Sequence, residues 1–255
     1  MTALKTLCFA TIAGFSVNAM AAEFSFDRPG AGIGTGITPV GRLAWEQAIP
    51  TANFQKTKEN GVTTETTTVN ADMVFRTGLA HNLELQLGWQ GPAWSIEKSN
   101  GQKTHDHGLG DVSIGIKKAI DLNDDKMQMA VLAQAIIATG NKGFSNEDDI
   151  YSIGTVVAYD QNESLNTSIS MIYEVQNSDW AVTAIPNLTY KLTDKWSGFS
   201  ELIYRKAESQ DVEYALSSGL MYAFNDRAQL DGNIGVNLDS PDKSYFAGLG
   251  VSFLF

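Results

Sequence analysis

Tyr245-Phe246-Ala247-Gly248-Leu249-Gly250-Val251-Ser252-Phe253-Leu254-Phe255 closes the chain. Tyr245, Ala247, Leu249, Val251, Phe253 and Phe255 fall on one parity, and mostly glycine and serine fall on the other. Successive side chains of a strand point to opposite faces, so the stretch predicts a strand with one apolar face. The same period recurs upstream. Leu83, Leu85, Leu87 and Trp89 oppose Glu84, Gln86 and Gly88; Val112, Ile114 and Ile116 oppose Asp111, Ser113, Gly115 and Lys117; Ile169, Met171, Tyr173 and Val175 oppose Ser168, Ser170 and Glu174. Twelve such sets run from Leu43 to Phe255, divided by clusters of Asn, Asp, Gly, Ser and Lys, which predicts twelve strands.

The second face of those strands decides the architecture. A water-soluble barrel or sandwich would put the apolar set inside and Lys and Glu outside. Here the second set is mostly Gly, Ala, Ser, Thr, Asn and Gln with isolated charges, which suits a hydrated lumen, while the apolar set suits lipid. That is the pattern of a transmembrane antiparallel up-and-down β-barrel of about 12 strands, an all-β fold. Charged residues make up only 18% of the chain, below the roughly 25% usual for soluble domains. The spacing of aromatics agrees. Tyr151 and Tyr159, Trp196 and Tyr204, Tyr214 and Tyr222, and Tyr245 and Phe253 are each eight residues apart on one strand. At ~3.3 Å per residue and a tilt of about 40°, that separation climbs roughly 20 Å, close to the apolar band between two aromatic girdles. Trp89, Tyr173 and Trp180 fall at the outer level with Tyr151, Tyr204, Tyr214 and Tyr245; Tyr190 falls at the inner level with Tyr159, Trp196, Tyr222 and Phe253.

Residues 1–21 read as a secretory signal: Lys5, an apolar stretch from Leu7 to Val17, and the small-x-small site Ala19-Met20-Ala21. Cleavage there removes Cys8, the only cysteine, and with it any disulfide or thiol nucleophile. Residues 22–41 then form a flexible N-terminal segment, a candidate plug of the lumen, and residues 42–255 the barrel. The net charge of −11 and the lack of a basic patch exclude nucleic acid as a partner. Short connections such as Ala80-His81-Asn82, Thr193-Asp194-Lys195 and Asn225-Asp226-Arg227 are expected to face the periplasm. Longer loops, Gln55 to Gly61, Ser99 to His107 and Gly140 to Asp149, are expected outside, which leaves both termini periplasmic.

Asp27-Arg28-Pro29-Gly30, the segment Gly108-Leu109-Gly110-Asp111-Val112-Ser113-Ile114-Gly115-Ile116-Lys117 and the terminal aromatic strand together resemble the outer-membrane transporters of the phenol meta-pathway degradation family. The terminal strand also resembles the signal read by the outer-membrane assembly machinery of Gram-negative bacteria. The resemblance implies passage of small, often aromatic or apolar, compounds and brings no catalytic or ligand residues with it. Outer-membrane lipid, lipopolysaccharide, the assembly machinery and small solutes are the expected partners.

Other chemistry is weaker. The Gly30, Gly32, Gly34, Gly36 run neither follows a strand nor opens a helix, and it lacks a phosphate-loop lysine. His105-Asp106-His107 could offer two imidazoles and a carboxylate to a metal, and Asn146-Glu147-Asp148-Asp149 could hold calcium, yet solvated loops explain both, and no metal or cofactor is expected. His81, His105 and His107 all fall on expected turns or loops, so no histidine is placed to activate a strand serine. The expected function is therefore passive solute passage. A non-conducting structural or surface-interaction barrel and, less plausibly, a barrel enzyme are the alternatives.

Thirteen charged residues are expected to line the lumen: Arg42, Glu46, Asp72, Arg76, Glu84, Asp111, Lys117, Glu174, Lys191, Glu201, Arg205, Glu213 and Asp231. Asp111, Glu174 and Glu213 count toward the outer mouth, and Arg42, Arg76, Lys117 and Lys191 toward the periplasmic half. Arg205 is expected to pair with Glu213 across a hairpin. A net negative mouth would favour cations and neutral solutes.

Overall fold

The computed structural model describes residues 24–59, 61–238 and 243–255; the proposed signal, residues 1–21, lies outside them. Fifteen antiparallel strand segments follow one another: β1 (Leu43–Glu59), β2 (Val62–Asn70), β3 (Met73–Ala80), β4 (Leu83–Trp89), β5 (Pro92–Ser99), β6 (Gln102–Leu109), β7 (Val112–Ile120), β8 (Met127–Ile137), β9 (Ile150–Asn162), β10 (Leu165–Gln176), β11 (Asp179–Lys191), β12 (Trp196–Ala207), β13 (Val212–Asn225), β14 (Ala228–Asn237) and β15 (Lys243–Leu254). They form one sheet, and β15 returns to β1 to close it.

The wall has twelve strands because three of them are each broken once. β2 and β3, β4 and β5, and β6 and β7 are halves of single wall strands, interrupted at 71–72, 90–91 and 110–111. The breaks lie side by side. Ala48 N donates to Asp72 O, Gln90 N to Asp111 O and Gly110 N to Gly91 O, each at 2.8 Å, so backbone pairing continues across the bend. In β1 the same level carries Pro50, which has no N–H to give, and the register shifts between Ala48 and Thr51. Gly91 sits there at φ +78, where an added Cβ would come 2.0 Å from the carbonyl oxygen of Ala71; only glycine fits.

Two stretches expected as loops are strand. β1 runs on through Gln55 to Glu59, and β5 and β6 form a hairpin around Asn100-Gly101. Both residues of that turn have positive φ, 49 and 76, the geometry that matches strand twist and favours Asn-Gly. Asn177-Ser178 makes a second two-residue turn of the same kind. The long connection on this rim is residues 138–149. The sequence misled here because Thr, Lys and Glu above a membrane have no apolar face to display, so their alternation is silent.

β6 pairs with β5 alone, leaving its other edge free, whereas its lower continuation β7 pairs with β4 and β8. Residues 138–149 fold against β6 instead. Asn141 N donates to Leu109 O and Leu109 N to Asn141 Oδ1, both at 2.8 Å.

Apolar side chains cover the outside. Ile114, Ile153, Leu188, Leu216 and Ile234 are all exposed, the last by 68%. The residues expected in the aromatic girdles project from this outer face, with Tyr151, Tyr159, Tyr173, Trp180, Trp196, Tyr214 and Tyr245 exposed and Trp89, Tyr190, Tyr204, Tyr222 and Phe253 partly covered by neighbours. Register brings Tyr204 opposite Tyr214 and Trp196 opposite Tyr222, with ring centroids 5.4 and 4.9 Å apart. The largest fully buried side chains are mostly polar. Arg76, Glu84, Asp111 and Lys117 are fully covered, all within the barrel.

Candidate functional site

The lumen is occupied by the chain itself. Residues 24–39 precede β1 and lie inside the wall without regular structure, so their backbone groups must find partners among wall side chains. They do. The carboxylate of Glu46 accepts from the amides of Asp27 (3.1 Å) and Arg28 (2.8 Å). That of Glu201 accepts from Ala31 N at 3.0 Å. Ser170 Oγ accepts from Ile33 N at 3.0 Å, and Glu84 accepts from Thr38 N. In the other direction Asn233 Nδ2 donates to Pro29 O (3.2 Å), Lys117 Nζ to Gly34 O (3.3 Å) and Arg76 to the carbonyls of Ser25 and Gly36 (2.9 and 3.1 Å). The alternating glycines permit this approach. A Cβ on Gly34 would lie 2.3 Å from Asp27 Oδ1, and one on Gly32 3.2 Å from Ser170 Oγ.

The segment also contributes one acid and one base to the wall charges. Arg76 binds Glu46 (2.7 Å) and Glu84 (2.9 Å) and lies 3.5 Å from Asp27. Lys117 binds Asp27 at 3.0 Å and faces Glu84 at 3.5 Å. On the other side Arg28 bridges Asp72 (3.4 Å) and Asp231 (3.3 Å). Deleting one partner of a buried pair strands the other's charge, at about 3–5 kcal/mol. Asp27 therefore tethers the segment to β3 and β7, and Arg28 tethers it to the break between β2 and β3 and to β14. Both stand in the Asp27-Arg28-Pro29-Gly30 motif, but no sequence signal marked them as the lumen's missing counter-charges.

Twelve of the thirteen expected lumen charges divide into three groups. Glu46, Asp72, Arg76, Glu84, Lys117, Glu201 and Asp231 engage the N-terminal segment as described. Arg42 and Lys191 lie exposed at the rim, Lys191 paired with Asp194 at 3.0 Å. Glu174, Arg205 and Glu213 remain toward the rim that carries residues 138–149. Arg205 does sit opposite Glu213 in register, but its guanidinium turns the other way, to Glu174 at 3.5 Å. Position Thr183 of β11, with its short side chain, lies opposite Arg205 and leaves the diagonal open.

Asp111 belongs to none of these. It is fully buried, and its carboxylate accepts five hydrogen bonds from residues 138–149: from Thr139 N, Gly140 N and Ser145 Oγ on Oδ1, and from Asn146 N and Nδ2 on Oδ2, at 2.6–3.0 Å. Asp111 thus borders the 600 Å³ cavity with its carboxylate fully engaged by this loop. The neighbouring glycines serve the same contact. A Cβ on Gly108 would strike the ring of Phe144 at 2.5 Å, and one on Gly140 the carbonyl oxygen of Leu109 at 2.5 Å. Gly108-Leu109-Gly110-Asp111 is thus the receptor for the loop of residues 138–149.

Three cavities lie in succession. The first, about 600 Å³, lies beneath residues 138–149 and is bounded by Asp72, Val74, Gln90, Ser113, Phe144 and Ser145. It shares Asp72 and Val74 with a second of about 350 Å³ that reaches Arg28, Ile33, Leu132 and Glu174. Residues 27–33 separate the second from a third, about 500 Å³, between Phe24, Phe26, Val156, Phe199 and Met221. The interior is therefore less uniformly polar than the alternation implied. Ile33, Leu132, Ile172 and Phe199 place apolar surface beside the segment.

Candidate metal sites do not assemble. On β6, His105 and His107 face outward while Asp106 faces the other way, and Asp149 is engaged by Ala138 N at 2.9 Å. Among the described residues no three His, Cys, Asp or Glu converge, and no hydrogen bond joins a histidine ring to a serine.

A closed antiparallel barrel, apolar and aromatic outside and charged within, is an outer-membrane β-barrel. The chain belongs to the family described as "Putative MetA-pathway of phenol degradation", whose model matches residues 26–255. No curated protein sequence matches it. Its fold is similar to the COG4313 outer membrane channel from Pseudomonas putida F1, at 12% identity and TM-score 0.65 over 85% of this chain and 96% of that one. It is also similar to the translocator domain of the autotransporter NalP from Neisseria meningitidis (10% identity, TM-score 0.54, 89% and 90% covered) and to the KdgM porin (10%, 0.52, 80% and 98%).

Proposed function

We propose that the protein is a passive outer-membrane channel for small solutes, aromatic or apolar compounds among them, with both termini in the periplasm and the N-terminal segment acting as its plug. The observation that carries this reading is the succession of cavities, about 600, 350 and 500 Å³, interrupted only by residues 27–33. Each is large enough for a single aromatic ring and none for an extended chain. The segment is held by hydrogen bonds and ion pairs rather than by a packed core, so it can shift without unfolding the wall. Ile33, Ile172 and Phe199 offer contact to an apolar solute, and the ion pairs around them disfavour a lone charge. Similarity to the COG4313 channel supports the reading at the level of fold.

The terminal strand fits assembly by the outer-membrane machinery: β15 ends at a rim where Phe255, 59% exposed, donates its amide to Leu43 O at 2.8 Å. The test is swelling of proteoliposomes loaded with an impermeant polymer. Phenol-sized solutes should enter faster than disaccharides. Absence of both solute entry and ionic current, in the intact chain and in a chain whose segment has been loosened, would refute a channel and favour a structural barrel.

A further inference from the structure

Above the membrane-facing aromatics the outer surface inverts the charge of the molecule. Lys243 of β15 pairs in register with Lys56 of β1, Lys56 with Glu65 of β2, Glu65 with Lys98 of β5, and Lys98 with Lys103 of β6. Five neighbouring strands thus carry one continuous row of four lysines and one glutamate. Strand neighbours are ~4.8 Å apart, so the charges form a band rather than scattered points. In a chain with 18 Lys and Arg against 29 Asp and Glu, such a band is a local reversal. All five point outward, because they share the parity of Phe54 and Tyr245, whose rings stack on the outer face at 6.2 Å. Glu65 binds Lys56 at 2.7 Å; the other three lysines are exposed.

What lies beneath the row specifies its partner. Two residues toward the membrane the register reads Tyr245, Phe54, Thr67, Ile96, and two further Ala247, Ala52, Val69, Trp94. Two residues rise ~6.7 Å along a strand, so the lysines stand about one headgroup above the aromatic level. Ala52, Phe54, Thr67, Tyr245 and Ala247 also border an apolar groove of about 1100 Å³ that continues down the outer face past Leu216 and Ile234. An elongated apolar depression within the hydrocarbon band, capped at headgroup height by a row of cations, has the form of an anionic lipid: acyl chains below, phosphates above.

We propose that β15, β1, β2, β5 and β6 form a docking face for lipopolysaccharide, with the lysine row binding the phosphates of its lipid A moiety and the groove receiving its acyl chains. The assignment rests on the orientation given above, in which this rim is extracellular. Lysine binds phosphate as a mobile point charge, and several lysines at one membrane surface act additively. Glu65 holds one lysine in place and limits the row's net charge.

Native mass spectrometry of the detergent-purified full chain, titrated with bis-phosphorylated hexa-acyl lipid A, tests this. The chain should retain lipid A through delipidation, and removing both phosphates should weaken retention by about tenfold or more. Changing Lys56, Lys98, Lys103 and Lys243 together to Gln should do the same, since each lysine at an anionic surface is worth about fivefold. Glu65→Gln should strengthen retention, and Lys118→Gln, at the opposite end of β7, should leave it unchanged. Equal retention of phosphorylated and dephosphorylated lipid A, or no response to the lysine changes or to Glu65→Gln, would overturn the proposal. Orientation is read separately, by labelling Asn100→Cys on intact cells with a membrane-impermeant maleimide. Labelling without phosphate-dependent retention refutes the docking face alone; failure to label refutes the orientation on which it rests.

Discussion

Replacing Arg28 by glutamine should loosen the N-terminal segment without damaging the barrel. The Arg28 side chain is 16% exposed and bridges Asp72, 35% exposed, and Asp231, fully buried, at 3.4 and 3.3 Å. Loss of one member of a well-buried pair costs about 3–5 kcal/mol. The long distances and the access of water to Asp72 reduce that to about 2 kcal/mol. The loss falls on the segment's seating, because the wall pairing of β3 and β14 does not depend on it. About 2 kcal/mol changes a seated-to-displaced ratio by roughly 30-fold. Asp72 and Asp231, left without a shared cation, also repel each other across the gap. In planar bilayers the variant should spend a correspondingly greater share of time in a high-conductance state, with the heat-modifiable migration of the folded barrel unchanged. Arg42→Gln at the rim is the control. If Arg28→Gln conducts like the intact chain, the tether has no hold on passage and the reasoning fails.

Other outcomes follow from the same geometry. Leu216→Arg places a charge on the lipid face and should cost roughly 2–4 kcal/mol of folding stability near the midplane, whereas Ser152→Arg, facing the 350 Å³ cavity, should insert normally and lower conductance; equal folding yields would mean the faces are reversed. Asp111→Ala removes all five anchors of residues 138–149, so that loop should become sensitive to protease on intact cells; an unchanged digestion pattern would show that other contacts hold it. Arg205→Gln exposes Glu174 and should raise cation preference in reversal potentials at low salt. The effect should fade near 1 M KCl, where the Debye length is ~3 Å; a shift toward anions would contradict the Glu174 pairing.

The membrane-spanning half of this molecule is legible in its sequence because lipid enforces alternation. From Leu43 to Phe255 the outward set is apolar wherever the strand crosses hydrocarbon, and twelve strands can be counted from it. Above the membrane both faces of β1, β2, β5 and β6 meet water, the parity signal vanishes, and the lysine row at 243, 56, 98 and 103 hides in segments that look like loops. The charges divide in the same way. Glu46, Arg76, Glu84 and Lys117 are legible as inward residues by parity alone. Their partners are not, since Asp27 and Arg28 reach them from a segment with no period, and Arg205 chooses Glu174 over its register neighbour through a diagonal that only the pleat defines. Asp111 is the sharpest case: its neighbouring glycines carry a family resemblance, but that five donors from residues 138–149 converge on it depends on how a distant loop folds.

The most direct test of the plug uses a cysteine pair in a chain whose one native cysteine, Cys8, falls in the proposed signal. A Cβ on Gly32 would lie 4.0 Å from the Cβ of Ser170, inside the 3.5–4.5 Å range of disulfides. Gly32→Cys with Ser170→Cys should therefore cross-link on oxidation and fix the segment to β10. Single-channel current through the oxidised protein should stay at its lowest level, with high-conductance openings returning when reductant is added. Failure of the pair to cross-link, or equal solute flux before and after reduction, would contradict a channel plugged by its own N-terminal segment.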